Sequence, residues 1–285
     1  MLLILFEQAM PFFLTCMRRS ILIYLVCLIQ SVTAQELFVF TEPASNMATS
    51  SAGIRLNNYF MHETNTAVTN YHLVPELMYG VSRKLMLHAE AFLSNRSGGG
   101  LDFEGAGFYG KYRFFSVDEV HSHFRIAAFG RFSFNNSGIH QPSIDLIGHN
   151  SGYETGFIFT KLANKLALSS SLSCLHAFNN GSNTFGQRNA LRNAIGYSFS
   201  AGKLLLPKDY TSYRQTNLNA MVELLGQVNT GSGLGYLDLA PSLQLIINSV
   251  ARIDLGQRIP LAKKLFRTAP GGIFVRLEYN LFNLF

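Results

Sequence analysis

The densest chemistry in the chain sits at Gly148-His149-Asn150-Ser151-Gly152. If this stretch is extended, residues two apart share a face. His149 then stands beside Ser151 and can take its proton, the first requirement of a serine hydrolase. A third polar group must orient the imidazole. None stands nearby on the same outward face, and Asn164 falls at the far end of the strand that follows. The stretch also borders a long loop, and loop-edge turn chemistry explains it with fewer parts. Catalysis by His149 and Ser151 is therefore carried only as an alternative. His121 and His123, in HSHF, share the spacing. They suit a polar cluster at a rim better than a metal pair. No phosphate loop, zinc spacing or calcium loop occurs, and no cofactor is expected.

A second set of residues is defined by period. In the first half it comprises Arg55, Glu76, His88, Glu90, Lys111, Arg113, Arg125 and Arg131. In the second half it comprises Glu223, Asp238, Arg252, Asp254, Arg258, Arg276 and Glu278. Each lies in a segment whose alternate positions are apolar. Both signs are present, and Arg252 with Asp254 and Arg276 with Glu278 are neighbours on one face. Such a set either lines a narrow aqueous channel or pairs across it and closes it.

The elements that must carry these residues read as strands. The last, Gly271 to Phe285, puts Ile273, Val275, Leu277, Tyr279 and Leu281 on one face and Arg276 and Glu278 on the other. It ends on an aromatic residue, the terminal signature of an outer-membrane barrel, whose final strand is also read by the insertion machinery. The clearest period is His123 to Phe134. Phe124, Ile126, Ala128, Gly130, Phe132 and Phe134 alternate with a face carrying His123, Arg125, Arg131 and Ser133. About twelve such segments run from residue 52 onward. They alternate between very short turns, as at Ser82-Arg83-Lys84, and longer loops rich in Gly, Asn and Ser, as at 135–150. The even number and the alternation of connections predict an all-β transmembrane antiparallel barrel of about 12 strands. Both termini then lie on the short-turn side. Pro75 and Pro241 fall inside strands, where each would mark a bulge. They head similar hairpins, Pro75 to Leu87 and Pro241 to Ile253, a weak internal repeat.

Composition agrees. The chain is 48% hydrophobic but only 14% charged, below the roughly 25% of soluble domains, and no mature segment is apolar enough for a spanning helix. The net charge of +6 is modest, and no basic run tracks along one helix or arm, so no nucleic acid is expected as partner. The N-terminus reads as a signal peptide: Arg18-Arg19, an apolar run from Ile21 to Ile29, and Ser31-Val32-Thr33-Ala34 with the cut after Ala34. Met1 to Cys16 looks like an extension upstream of Met17. Of the three cysteines only Cys174 then remains, so no intramolecular disulfide forms. Residues 35–51 carry no period and read as a periplasmic lead-in.

Pro75-Glu76-Leu77-Met78-Tyr79-Gly80-Val81-Ser82, followed by an apolar-alternating strand, resembles the outer-membrane barrels grouped with meta-pathway phenol-degradation proteins and related transporters. The resemblance implies passive passage of small, often apolar solutes across the outer membrane of a Gram-negative bacterium, and supplies no catalytic residues. The His149 and Ser151 spacing is similar to that of outer-membrane phospholipases and lipid A deacylases. Three functions follow in order: a small-solute channel, not an enzyme; a structural or adhesive barrel with a plugged lumen; a lipid-modifying hydrolase. The expected partners are outer-membrane lipid, the insertion machinery through the Phe285 strand, and an unidentified solute.

Overall fold

The computed structural model describes residues 38–63, 68–96, 100–119, 122–163, 165–184, 189–207 and 215–284. The expected signal peptide, residues 1–34, lies outside them, as do His121, Asn164 and Phe285. Residues 35–285 form one compact unit.

The described residues close into a barrel of twelve antiparallel strands in which every strand pairs with its chain neighbours and β1 pairs with β12. The strands are β1 Ser51–His62, β2 Thr69–Gly80, β3 Leu85–Ser94, β4 Asp102–Asp118, β5 Ser122–Asn135 and β6 Gly152–Ala163. They continue as β7 Leu166–Ala177, β8 Asn193–Leu206, β9 Asn217–Asn229, β10 Gly235–Ile247, β11 Ala251–Lys263 and β12 Gly271–Leu281. The shortest has 10 residues, enough for a tilted crossing of a bilayer at ~9–11 residues. No helix among the described residues is long and apolar enough to cross one.

Alternation decides which way each side chain points. Leu77, Phe108, Phe157, Leu172, Phe199, Leu243, Leu255 and Leu277 are all exposed on the outer wall. A continuous apolar belt of this extent is intolerable in water and natural against hydrocarbon. The inner wall is polar. Five connections, four of them tight and the fifth the longer one between β8 and β9, lie at one end, the turn end, where the chain also enters β1 and leaves β12; the other six, including 136–151 and 178–192, lie at the loop end. Asn248 and Ser249 take φ of 53° and 58°, a turn whose twist matches the hairpin.

Two expectations needed correction. Pro75 and Pro241 mark no register shift. Beside each, pairing lapses and resumes unchanged: Leu73 with Leu93, then Glu76 with Glu90; Leu239 with Ile259, then Ser242 with Gly256. Proline lacks the N–H of that ladder rung, and the barrel skips the rung instead of bulging. Register shifts fall elsewhere, one of them between Leu237 and Asp238, opposite Pro260. Pro260 sits inside β11, which runs five residues past its expected end at Arg258.

The second correction concerns the lead-in. The described part, Phe38 to Ser50, lies inside the barrel. Phe38 and Val39 are buried against Ala167, Met221 and Phe274 of the inner wall. This strap belongs to none of the strands. Glycines make room for it: a Cβ on Gly80 would fall 2.1 Å from the Ala48 carbonyl oxygen, and one on Gly256 would fall 2.7 Å from the Phe40 ring.

Candidate functional site

The strand period brings the charged set inward, and the barrel's curvature brings distant members together. Arg55 on β1 sits at the centre of one cluster. Its Nε donates to Glu278 at 2.8 Å, and one terminal nitrogen reaches Glu42 of the strap at 2.8 Å and Glu76 at 3.2 Å. His88 hydrogen-bonds the same Glu76. Arg131 on β5 donates to Glu90 at 2.7 Å, lies 3.9 Å from Glu154, and stacks 5.1 Å over the Tyr109 ring. On the strands beside β1, Arg252 of β11 donates to Asp254 at 2.9 Å and Arg276 of β12 to Asn57 at 2.8 Å. Asp238 accepts from both Arg258 and Arg267.

Other members of the set hold the strap. The Glu223 carboxylate accepts the backbone N–H groups of Val39 at 2.9 Å, Phe40 at 2.8 Å and Thr41 at 3.0 Å. Lys111 donates to the Pro43 carbonyl at 2.7 Å, and Arg252 to the Phe38 carbonyl at 2.7 Å. Arg125 donates to the Ser45 hydroxyl at 2.9 Å. Arg113 is placed differently from the rest. Beside a register shift in β4 it turns to the turn-end rim, donating to the Arg83 carbonyl at 2.7 Å.

Above the strap, towards the loop end, the lumen keeps a cavity of ≈ 270 Å³. Phe40 lines it from the strap; Tyr59, His72, Tyr236 and Arg258 line one part, and the small residues Ser171, Ser173, Gly196 and Ser198 another. The long 136–151 loop dips in and lines it too. Ile144 exchanges hydrogen bonds with the Gln227 side chain, its N–H donating at 2.9 Å and its carbonyl accepting at 2.8 Å.

The 136–151 loop sets where His149 and Ser151 stand. The Ser151 hydroxyl accepts from the Asn135 N–H at 2.8 Å and donates to the Asn135 carbonyl at 3.1 Å. It is buried and its proton is spent on backbone. His149 instead packs edge-on to His72, ring centroids 4.4 Å apart, with Nε2 3.7 Å from the Asp145 carboxylate. Burial, then the charges of Arg96 and His140, push the His149 pKa down to about 3. Burial also pushes Asp145 up. The pair thus forms a loop-edge contact, with neither a nucleophile nor a lipid-facing position. His123 joins Asp118 at 2.8 Å, and Arg125 joins the same carboxylate at 3.0 Å, a polar cluster at the turn-end rim.

Among the described residues, one group has metal-like geometry. Ligand atoms of Glu76, His88 and Glu90 all lie within 4.8 Å of one another. Arg55 already pairs with Glu76 and Arg131 with Glu90. Both carboxylates are neutralised by fixed cations, so the cluster is an ion network. Sequence reading missed Glu42, Glu154 and Arg267. Glu42 and Arg267 lie outside the strands, where no period marks a face, and β6 alternates too weakly to place Glu154.

The crystal structure of an outer membrane channel from Pseudomonas putida F1 superposes with a TM-score of 0.53, covering 85% of this chain and 99% of that one at 10% identity. The fold is that of an outer-membrane β-barrel. Escherichia coli outer membrane phospholipase A (TM-score 0.42, 12% identity, 89% of this chain and 96% of that one) and Salmonella typhi OmpF (0.36, 8%, 81% and 96%) are more distant in shape and bear on neither site nor activity. No family model and no curated protein matches the chain.

Proposed function

We propose that this barrel is an outer-membrane channel for small solutes, closed in this conformation by Phe38 to Ser50. The observation that carries the reading is the interior. A cavity is kept inside a polar wall, and what closes the lumen below it is a strap outside the sheet, held at the wall by side chains. A barrel whose role is structural alone has no use for such a cavity. The charged lining supports polar solutes over the apolar ones that the phenol-degradation resemblance implies. Residues 1–34 are read as the exported leader, and the strand running to Phe285 as the insertion signal. The turn end faces the periplasm.

The test is conductance and solute swelling of the purified barrel in liposomes. Wild type should show infrequent openings. Glu223→Gln weakens the anchor of three strap N–H groups; charge-assisted bonds are worth ~1.5–3 kcal/mol, so open time should rise roughly tenfold or more. Silence in both proteins would mark a sealed, structural barrel.

A further inference from the structure

The strap is recognised largely through its peptide backbone. Three consecutive N–H groups, those of Val39, Phe40 and Thr41, converge on the one carboxylate of Glu223. The Ala44 N–H donates to the Thr160 hydroxyl at 2.9 Å. Arg252 takes the Phe38 carbonyl and Lys111 the Pro43 carbonyl, each at 2.7 Å. Acceptors thus meet N–H groups and cations meet carbonyls over seven residues. At Pro43, which has no N–H, the wall supplies a donor alone. These contacts come from four different strands, β4, β6, β9 and β11, and Arg55 of β1 adds a bond to the Glu42 side chain.

We propose that the lumen is a binding site for peptide backbone, curled at 39–41 so that successive N–H groups face one carboxylate, and that Phe38 to Ala44 occupies it as an internal stand-in for short peptides that the channel admits. The inference rests on the channel reading and names its solute class. Two features favour it. The strap takes no part in the ladders of the sheet, so a second peptide can replace it without breaking a strand pair. The cavity reaches Phe40, which gives an incoming chain access to the middle of the three amides that Glu223 holds. A neutral sugar offers hydroxyls, but no row of N–H donors for one carboxylate and no amide carbonyls for Arg252 and Lys111. Side-chain selection is limited: Phe38 and Val39 enter an apolar pocket with Ala167, Met221 and Phe274, and Thr41 bonds Ser200 at 2.9 Å.

The test is hydrogen exchange at the amides of Val39, Phe40, Thr41 and Ala44 in the whole mature protein, read by mass spectrometry. The probes are N-acetyl-tetraalanine amide and a neutral sugar of similar mass. The peptide should displace the strap and speed exchange at these amides severalfold; the sugar should leave it unchanged. In Glu223→Gln, exchange should be fast without peptide and gain little on adding it. Thr160→Val, a smaller change, should speed exchange at Ala44 and leave the peptide effect at 39–41 in place. No peptide effect in the wild type, or an equal effect from the sugar, overturns the proposal. Flux of the same two probes from liposomes separates it from the channel reading. Sugar flux without peptide displacement leaves the channel and removes the peptide site. Displacement without flux of either probe leaves the site and removes the channel.

Discussion

Arg55 shows what a single inward residue carries. It is 1% exposed, and three carboxylates depend on it: Glu42, Glu76 and Glu278. Burying an ion costs several kcal/mol, which partners recover only while all are present. Arg55→Met removes the cation and keeps the volume. Breaking a buried pair costs ~3–5 kcal/mol, and here at least two carboxylates lose their nearest charge. The urea midpoint of the folded barrel in detergent should fall accordingly. An unchanged midpoint would mean that water in the lumen already screens the cluster. Ile54, next in the chain, is half exposed on the outer wall; its replacement by Leu should leave the midpoint where it was. Neighbours in sequence thus belong to different solvents.

At the scale of one strand, β5 makes the same point through its register. Ala128 faces outward between Tyr112 of β4 and Phe157 of β6, while Ala127 is fully buried inside. Ala128→Arg sets a charge against hydrocarbon near mid-strand, at ~2–4 kcal/mol. Ala128→Leu adds apolar bulk there and should refold like wild type. Equal refolding yields for the two variants would show that this face is not lipid-facing. The period of β5 was plain in the sequence because Phe and Arg alternate without interruption, and a slip of one residue would exchange every face. The same legibility fixed the number of strands and the inward position of Glu76, Arg252 and Glu278. It failed where period is absent. The strap has none, so its place inside the lumen, and the partners of Glu223 and Lys111, could not be read. It failed too at the prolines, since a missing donor says that a rung is lost but not whether the ladder shifts to compensate. Partner choice was equally hidden: Arg276 stands in register with Asn57 on one side and Asp254 on the other, and bonds Asn57 more closely.

For the whole molecule, the two ends differ and orientation can be tested directly. A protease site inserted in the loop Gly231 to Gly233 should be cut on intact cells, and one in the turn Ser82 to Lys84 should be cut only after the outer membrane is opened. The reverse pattern would invert the topology and put the cavity towards the periplasm. The seam between β1 and β12 adds a constraint of a different kind. Eleven of the twelve strand contacts join chain neighbours; this one joins Arg55 to Glu278 across 223 residues. Closing so long a loop is the most entropically demanding pairing in the barrel. Glu42 of the strap bonds the same Arg55 that bonds Glu278. The strap is thus a keystone of the seam: one guanidinium ties it to the first strand and the last at once.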